Sequence, residues 1–255
     1  MSIRPAVRLT LAAFAFTVLA PFAAAVAADQ TSAPRPRVDQ VPMRHYVLAL
    51  LRTGAPHGGI APARLDSLRA GHMANIRKMF ADHRLVCAGP FLDEGDLQGI
   101  YLFDADSVAQ VTPWLAGDPF LATGHMVCEL HPWYGPAGIS EGYRKAAIAD
   151  PTLADSLQRY TFTLLVRGPN WTSGDASERD MISRQLAGIG RKAQAGQIVL
   201  AGPLEDDGVV RGIAVFATSD TAEVRRWSET APAIVSGRLR FEMHPWMTAR
   251  GILAH

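Results

Sequence analysis

The chain has 255 residues, 48% of them hydrophobic, enough to bury the cores of two ordinary domains, which excludes an intrinsically disordered chain. Lys plus Arg number 25 against 24 Asp plus Glu. A balance so close to zero argues against a nucleic-acid partner, which needs a basic face.

Arg4 and Arg8 precede an apolar run from Leu9 to Ala28, interrupted by Pro21. Ala25-Val26-Ala27 and Val26-Ala27-Ala28 both offer small-residue cleavage sites before Asp29. Residues 1–28 therefore have the form of a secretory signal peptide, which implies a periplasmic or secreted protein with no membrane contact after cleavage. An uncleaved anchor is the rival reading, and Pro21 with the alanine-rich end favours cleavage. Residues 29–42, with Pro34, Pro36 and Pro42, read as a flexible leader.

The rest of the chain is written twice. Ala88-Gly89-Pro90 returns as Ala201-Gly202-Pro203, Gly99-Ile100 as Gly212-Ile213, His131-Pro132-Trp133 as His244-Pro245-Trp246, and Gly138-Ile139 as Gly251-Ile252. Each return lies 113 residues on (89 to 202, 131 to 244), so the chain is a tandem duplication.

Tyr46 to Leu51 is a short apolar run of the kind buried on both faces of a sheet, and Tyr160 to Val166 is its copy. Both runs end in Arg, at Arg52 and Arg167, and from there to the repeat core the spacings differ by two residues (52 to 72, 167 to 185). A helix is predicted over 63–82, with Leu65, Leu68, Ile76, Met79 and Phe80 as its apolar stripe. His72 falls inside that stripe. In the copy Met181, Ile189 and Ala193 repeat it, and Gln185 stands in the place of His72.

Strands are predicted over 84–88 and 100–103. Ser107 with Gln110, and Asp220 with Glu223, read as helix caps with a capping partner three residues on. They open second helices containing Trp114 and Trp227, which end near Gly117-Asp118-Pro119 and its copy Thr230-Ala231-Pro232. A last strand runs into His-Pro-Trp. Each half is then β-α-β-β-α-β, a ferredoxin-like unit. The fold class is α+β: two such units, residues 43–139 and 158–255, joined by a connector over 140–157. One sheet of this kind leaves a bare apolar face, so the two units should cover each other as an intramolecular dimeric α-β barrel.

Cys87 and Cys128 are the only cysteines, and the copy has Leu200 and Phe241 in their places. Apolar replacements point to buried strand positions. The ferredoxin-like order puts their strands at opposite edges, about 14 Å apart, too far for a disulfide.

His72, Gly89-Pro90, Gly99, Asp118-Pro119-Phe120 with Gly124, and a strand closing in a Pro-aromatic pair together resemble the YCII-related proteins, once per half. That resemblance implies small dimeric α+β barrels with an active-site pair formed by the helix His and the Asp before Pro, here His72 and Asp118. The second half departs at both places, with Gln185 and Ala231. The implied activity is general acid/base chemistry, elimination or isomerisation, on a small cyclic or aromatic compound. The alternatives are a non-catalytic barrel whose interior holds a small hydrophobic ligand, a purely structural role for His72, and a haem or oxygenase barrel, since related dimeric barrels host such chemistry.

The residues themselves agree on where to look. A histidine titrates near neutral pH and a carboxylate can orient it. His131 and His244, present in both halves, read as strand-end structure, and Asp93 and Asp206 as turn residues. His45, His57, His83 and His125 sit at no metal-ligand spacing, and the sequence carries no motif for a nucleotide or metal cofactor, so none is expected. The partner expected is a small molecule. Further oligomerisation is left open.

Overall fold

The computed structural model describes residues 42–55, 60–150, 152–153, 156–172 and 176–253, and of residues 176–183 the backbone alone. The signal peptide, the leader up to residue 41, His57 and the side chain of Met181 lie outside the described residues.

The first half consists of β1 (Met43–Thr53), α1 (Pro62–Ala81), β2 (Leu85–Pro90), β3 (Leu97–Phe103), a broken helical segment and β4 (Met126–Pro136). That segment is α2 (Val108–Val111), a 3-10 turn (Thr112–Gly117) and α3 (Pro119–Ala122). A connecting helix, α4 (Glu141–Ala149), follows. The second half repeats the order with β5 (Leu157–Arg167), α5 (Ala176–Gln194), β6 (Ile198–Pro203), β7 (Val210–Phe216), α6 (Thr221–Ser228), α7 (Pro232–Val235) and β8 (Leu239–Ala249). The sheets are antiparallel, in the orders β2-β3-β1-β4 and β6-β7-β5-β8. This is the expected α+β class, in two ferredoxin-like units.

The strand period of two sorts the core into layers. Tyr46, Leu48 and Leu50 of β1 meet Tyr160, Phe162 and Leu164 of β5 in one continuous core between the sheets. The alternate residues Val47, Ala49 and Leu51 pack under α1 with Met79, Tyr101 and Phe103. Each large apolar side chain buried this way contributes about 1.5–3 kcal/mol. Between the sheets, Trp133, Trp246, Leu48 and Phe162 are all fully buried.

The repeated motifs are where the halves interlock. The β2 edge lies against β8: Phe91 bridges to Trp246, and the Leu92 amide donates to the Pro245 carbonyl at 2.8 Å. The β6 edge lies against β4: Trp133 bridges to Leu204, and the Glu205 amide donates to the Pro132 carbonyl at 2.9 Å. Ala-Gly-Pro of each half thus faces His-Pro-Trp of the other. Gly89 and Gly202 are required by that approach. A Cβ on Gly89 would run into the Met247 carbonyl and lie 2.8 Å from Trp246 Nε1; one on Gly202 would run into the Tyr134 carbonyl and lie 2.8 Å from Trp133 Nε1.

Three local readings change. The predicted helix after Ser107 begins as expected, with the Ser107 hydroxyl accepting the Gln110 amide, but converts to a 3-10 turn at Thr112. Pro113 lacks the amide an α-helix needs and its ring crowds the preceding turn. The second half has Arg226 at that register, and α6 runs unbroken through it. The first strands also pair differently from the Arg-to-Arg match: Tyr46 lies opposite Trp133 and Tyr160 opposite Trp246. Arg52 is therefore matched by Val166, not Arg167, and the halves differ here by one residue, not two (46 to 160 is 114, 133 to 246 is 113).

α4 is pinned to the first half. The Arg144 guanidinium donates to the carbonyls of Phe80 and Leu85, both at 2.6 Å, and lies 3.8 Å over the Phe80 ring. Cys87 and Cys128 are free and sit on the two edge strands of their sheet. Burial pushes both thiols up to about 12, so neither is a thiolate at neutral pH. Among the described residues no helix is long and apolar enough to cross a membrane.

Candidate functional site

Asp118 ends the 3-10 turn in an extended conformation, φ −88° and ψ 115°, and caps α3. Its Oδ1 accepts the Phe120 amide at 3.0 Å. Pro119 occupies the first helical position, where a missing N–H costs nothing. Capping uses one carboxylate oxygen and leaves the other for chemistry. Oδ2 accepts from His72 Nδ1 at 2.8 Å and from the Tyr101 hydroxyl at 2.6 Å. His72 comes from α1 and Tyr101 from β3, so helix, sheet and loop converge on one carboxylate that is 1% exposed.

Burial alone would push the Asp118 carboxyl up. The hydrogen bonds from His72 and Tyr101, the imidazole charge and the Phe120 amide outweigh it, and the group ends below its ordinary value. The Tyr101 phenol is pushed far up, first by burial and then by the Asp118 charge, so it remains a proton-bearing donor. An ionised carboxylate only accepts, so His72 must carry its proton on Nδ1. Among the described residues Nε2 makes no hydrogen bond, and it is not sealed from solvent. The side chain is 18% exposed, with the Phe120 ring edge-on at 5.4 Å.

A depressed carboxylate pKa stabilises the folded state above the unfolded value, here 3.8, and that stability is lost as pH falls through the folded value. Wild-type protein is therefore expected to lose melting temperature on acidification below about pH 4 more steeply than Asp118→Asn. Parallel melting curves of the two from pH 5 to pH 2 would refute this.

The two sequence-predicted site residues are brought together. Tyr101 was missed, although the 113-residue register carried a signal for it: the copy has Ala214 there, so His72, Tyr101 and Asp118 are all replaced in the second half, by Gln185, Ala214 and Ala231. At that place the second half has a cavity of about 580 Å³, lined by Gln185, Ala214 and Ala231 among others.

His131 and His244, with Asp206 and Asp93, prove to be partners across the halves. His131 Nδ1 lies 2.6 Å from Asp206 Oδ2 and His244 Nδ1 lies 2.8 Å from Asp93 Oδ2. Each pair ties a strand end of one half to the turn of the other; among the described residues neither buried Nε2 makes a hydrogen bond, and that of His131 lies 3.8 Å from Glu129 Oε2. The structural reading of these residues holds, with a function sequence spacing did not reveal: they fasten the interlock. Among the described residues no group of three or more His, Cys, Asp or Glu is placed to hold a metal. A haem requires an axial His, Cys, Met or Tyr. None of the described residues lining the second-half cavity is one of these, so the cavity does not fit that group.

Fold and site together define an intramolecular dimeric α+β barrel with a His–Asp–Tyr cluster in one half. Residues 47–134, within the first half of the chain, match the YCII-related domain. No curated protein matches the chain. Among solved structures it is similar to chlorite dismutase from Candidatus Nitrospira defluvii. One mutant of that protein shares 9% identity over 84% of this chain and 94% of its own, with a TM-score of 0.52. Another, in complex with cyanide, shares 9% over the same fractions with a TM-score of 0.51. At such identity the likeness is one of fold.

Proposed function

We propose that the protein is an exported general acid/base enzyme of the YCII-related type, acting on a small cyclic or aromatic compound by elimination or isomerisation. The observation that carries this is a buried carboxylate fixing the His72 proton on Nδ1 and leaving Nε2, among the described residues, without a hydrogen bond and not sealed from solvent. Nε2 is the base. It takes a proton from a carbon or hydroxyl of the substrate, and the imidazolium that forms is stabilised by Asp118, whose position Tyr101 fixes. In the second half of the step the same nitrogen returns the proton to the leaving group or to the rearranged carbon.

The test is a metabolite screen of purified protein against its His72→Ala variant. A compound turned over by wild type and left intact by the variant supports the reading; identical conversion by both overturns it. The proposed export rests on the Arg4/Arg8 region, the apolar run and the small residues before Asp29. N-terminal sequencing of the exported chain is expected to begin near Ala28 or Asp29. Full-length chain retained in the cytoplasm would refute this.

A further inference from the structure

We propose that the second half binds a small organic anion with a flat apolar body, an aryl carboxylate in class, in the cavity between α5 and the β5–β8 sheet. The site is the counterpart of the His72 site and goes beyond the acid/base reading, on which it does not depend.

Native interiors leave few voids larger than a water molecule. The cavity here, of about 580 Å³ and open to solvent on one side, has a size ordinary for a small-molecule site. Its origin is visible residue by residue. Ala214 replaces the large Tyr101, Ala231 replaces Asp118, and Gln185 replaces His72. Phe241, in place of Cys128, restores only part of the volume and forms a wall with Ile198, Phe216 and Trp227. These walls suit a planar hydrophobic body.

The charge is as specific as the shape. Arg184, Arg191 and Lys192 line the cavity, and no acidic side chain does among the described residues. Lys192 takes the register of Met79, which in the first half is buried core. Its Nζ lies 4.7 Å over the Trp227 ring. Partial burial, and then the Arg191 charge, lower its pKa. Among the described residues neither Arg191 nor Lys192 has an acidic partner. The Gln185 amide spends its oxygen on the Ala233 amide at 3.4 Å, which leaves its NH₂ as a further donor. Two cations and an amide donor beside an aromatic wall call for an anion with an apolar body. Inorganic phosphate satisfies the cations and wastes the walls.

The probes are 2-naphthoate, its neutral amide and inorganic phosphate, titrated calorimetrically into the mature protein. Expected is one 2-naphthoate per chain, with the amide and phosphate each weaker by about tenfold or more. Lys192→Met, which installs the first half's own residue, is expected to weaken 2-naphthoate by about tenfold. Ala214→Phe, which fills the void, is expected to abolish binding, while His72→Ala leaves it unchanged. Melting curves establish that each variant is folded. Equal affinity for acid and amide, binding that survives Ala214→Phe in a folded protein, or no binding of 2-naphthoate at millimolar concentration overturns the proposal.

Discussion

Gly202→Ala is expected to destabilise the protein by about 3 kcal/mol or more, at the top of the range for overpacked cores. The added methyl group would meet the Tyr134 carbonyl, a backbone atom of the facing strand, and lie 2.8 Å from Trp133 Nε1. Neither can withdraw, since Tyr134 is fixed by pairing with His45 and Trp133 is 0% exposed. Trp133→Ala attacks the same contact from the other side and is expected to cost about 3–5 kcal/mol. Domain stabilities are typically about 5–15 kcal/mol, so either change removes a large part of the total. Gly188→Ala is the control. Its Cβ would meet only an Arg191 nitrogen at 4.0 Å, so alanine in that helix should be neutral or stabilising by up to about 1 kcal/mol. Chemical denaturation of the three variants decides the matter. A wild-type midpoint for Gly202→Ala would mean that the halves do not interlock in this way.

His72→Ala is expected to reduce turnover of any substrate found by about 10²- to 10⁴-fold, the usual cost of a positioned general base. Gln185→Ala should leave it nearly unchanged, because an amide neither gives nor takes protons near neutral pH. Asp118→Asn separates positioning from folding. Its Oδ1 can go on capping α3, while the new NH₂ in place of Oδ2 would donate to Nδ1 and force the His72 proton onto Nε2, the wrong tautomer for a base. Turnover is then expected to fall far more than stability, with an altered pH profile. Tyr101→Phe removes one donor to Asp118 and leaves the His72 bond in place, so its effect should be smaller. If His72→Ala retains wild-type kcat and kcat/KM at an unchanged melting temperature, the cluster is structural.

The architecture was legible in the sequence because the residues that repeat are those the barrel cannot vary. Gly89 and Gly202 repeat because a facing backbone leaves no room for a side chain. Gly138 and Gly251 repeat because both adopt φ of +82°, ahead of a buried Ile139 and Ile252. His72 was legible as a polar residue in an apolar stripe and Asp118 through the resemblance to the YCII-related pattern, and both change between the halves. Tyr101 was not, since a tyrosine in a strand is unremarkable by its type and its hydroxyl shows a partner only in three dimensions. The cross-half pairs of His131 with Asp206 and His244 with Asp93 were hidden for a similar reason. Their separations of 75 and 151 residues are set by how the sheets meet, which no local spacing encodes.

The connector α4 has a consequence of its own. A barrel assembled from two separate chains comes apart on dilution, because its closure is bimolecular. Here the partner half is tethered through a short helix that Arg144 fastens to the first half. Closure is therefore unimolecular, at a local concentration set by the tether rather than by how much protein is present. In a symmetric pair of identical chains every substitution strikes both copies of a site at once. One covalent chain lifts that constraint, so a His–Asp–Tyr cluster and a cationic cavity in its counterpart can coexist in one molecule whose two seams stay alike.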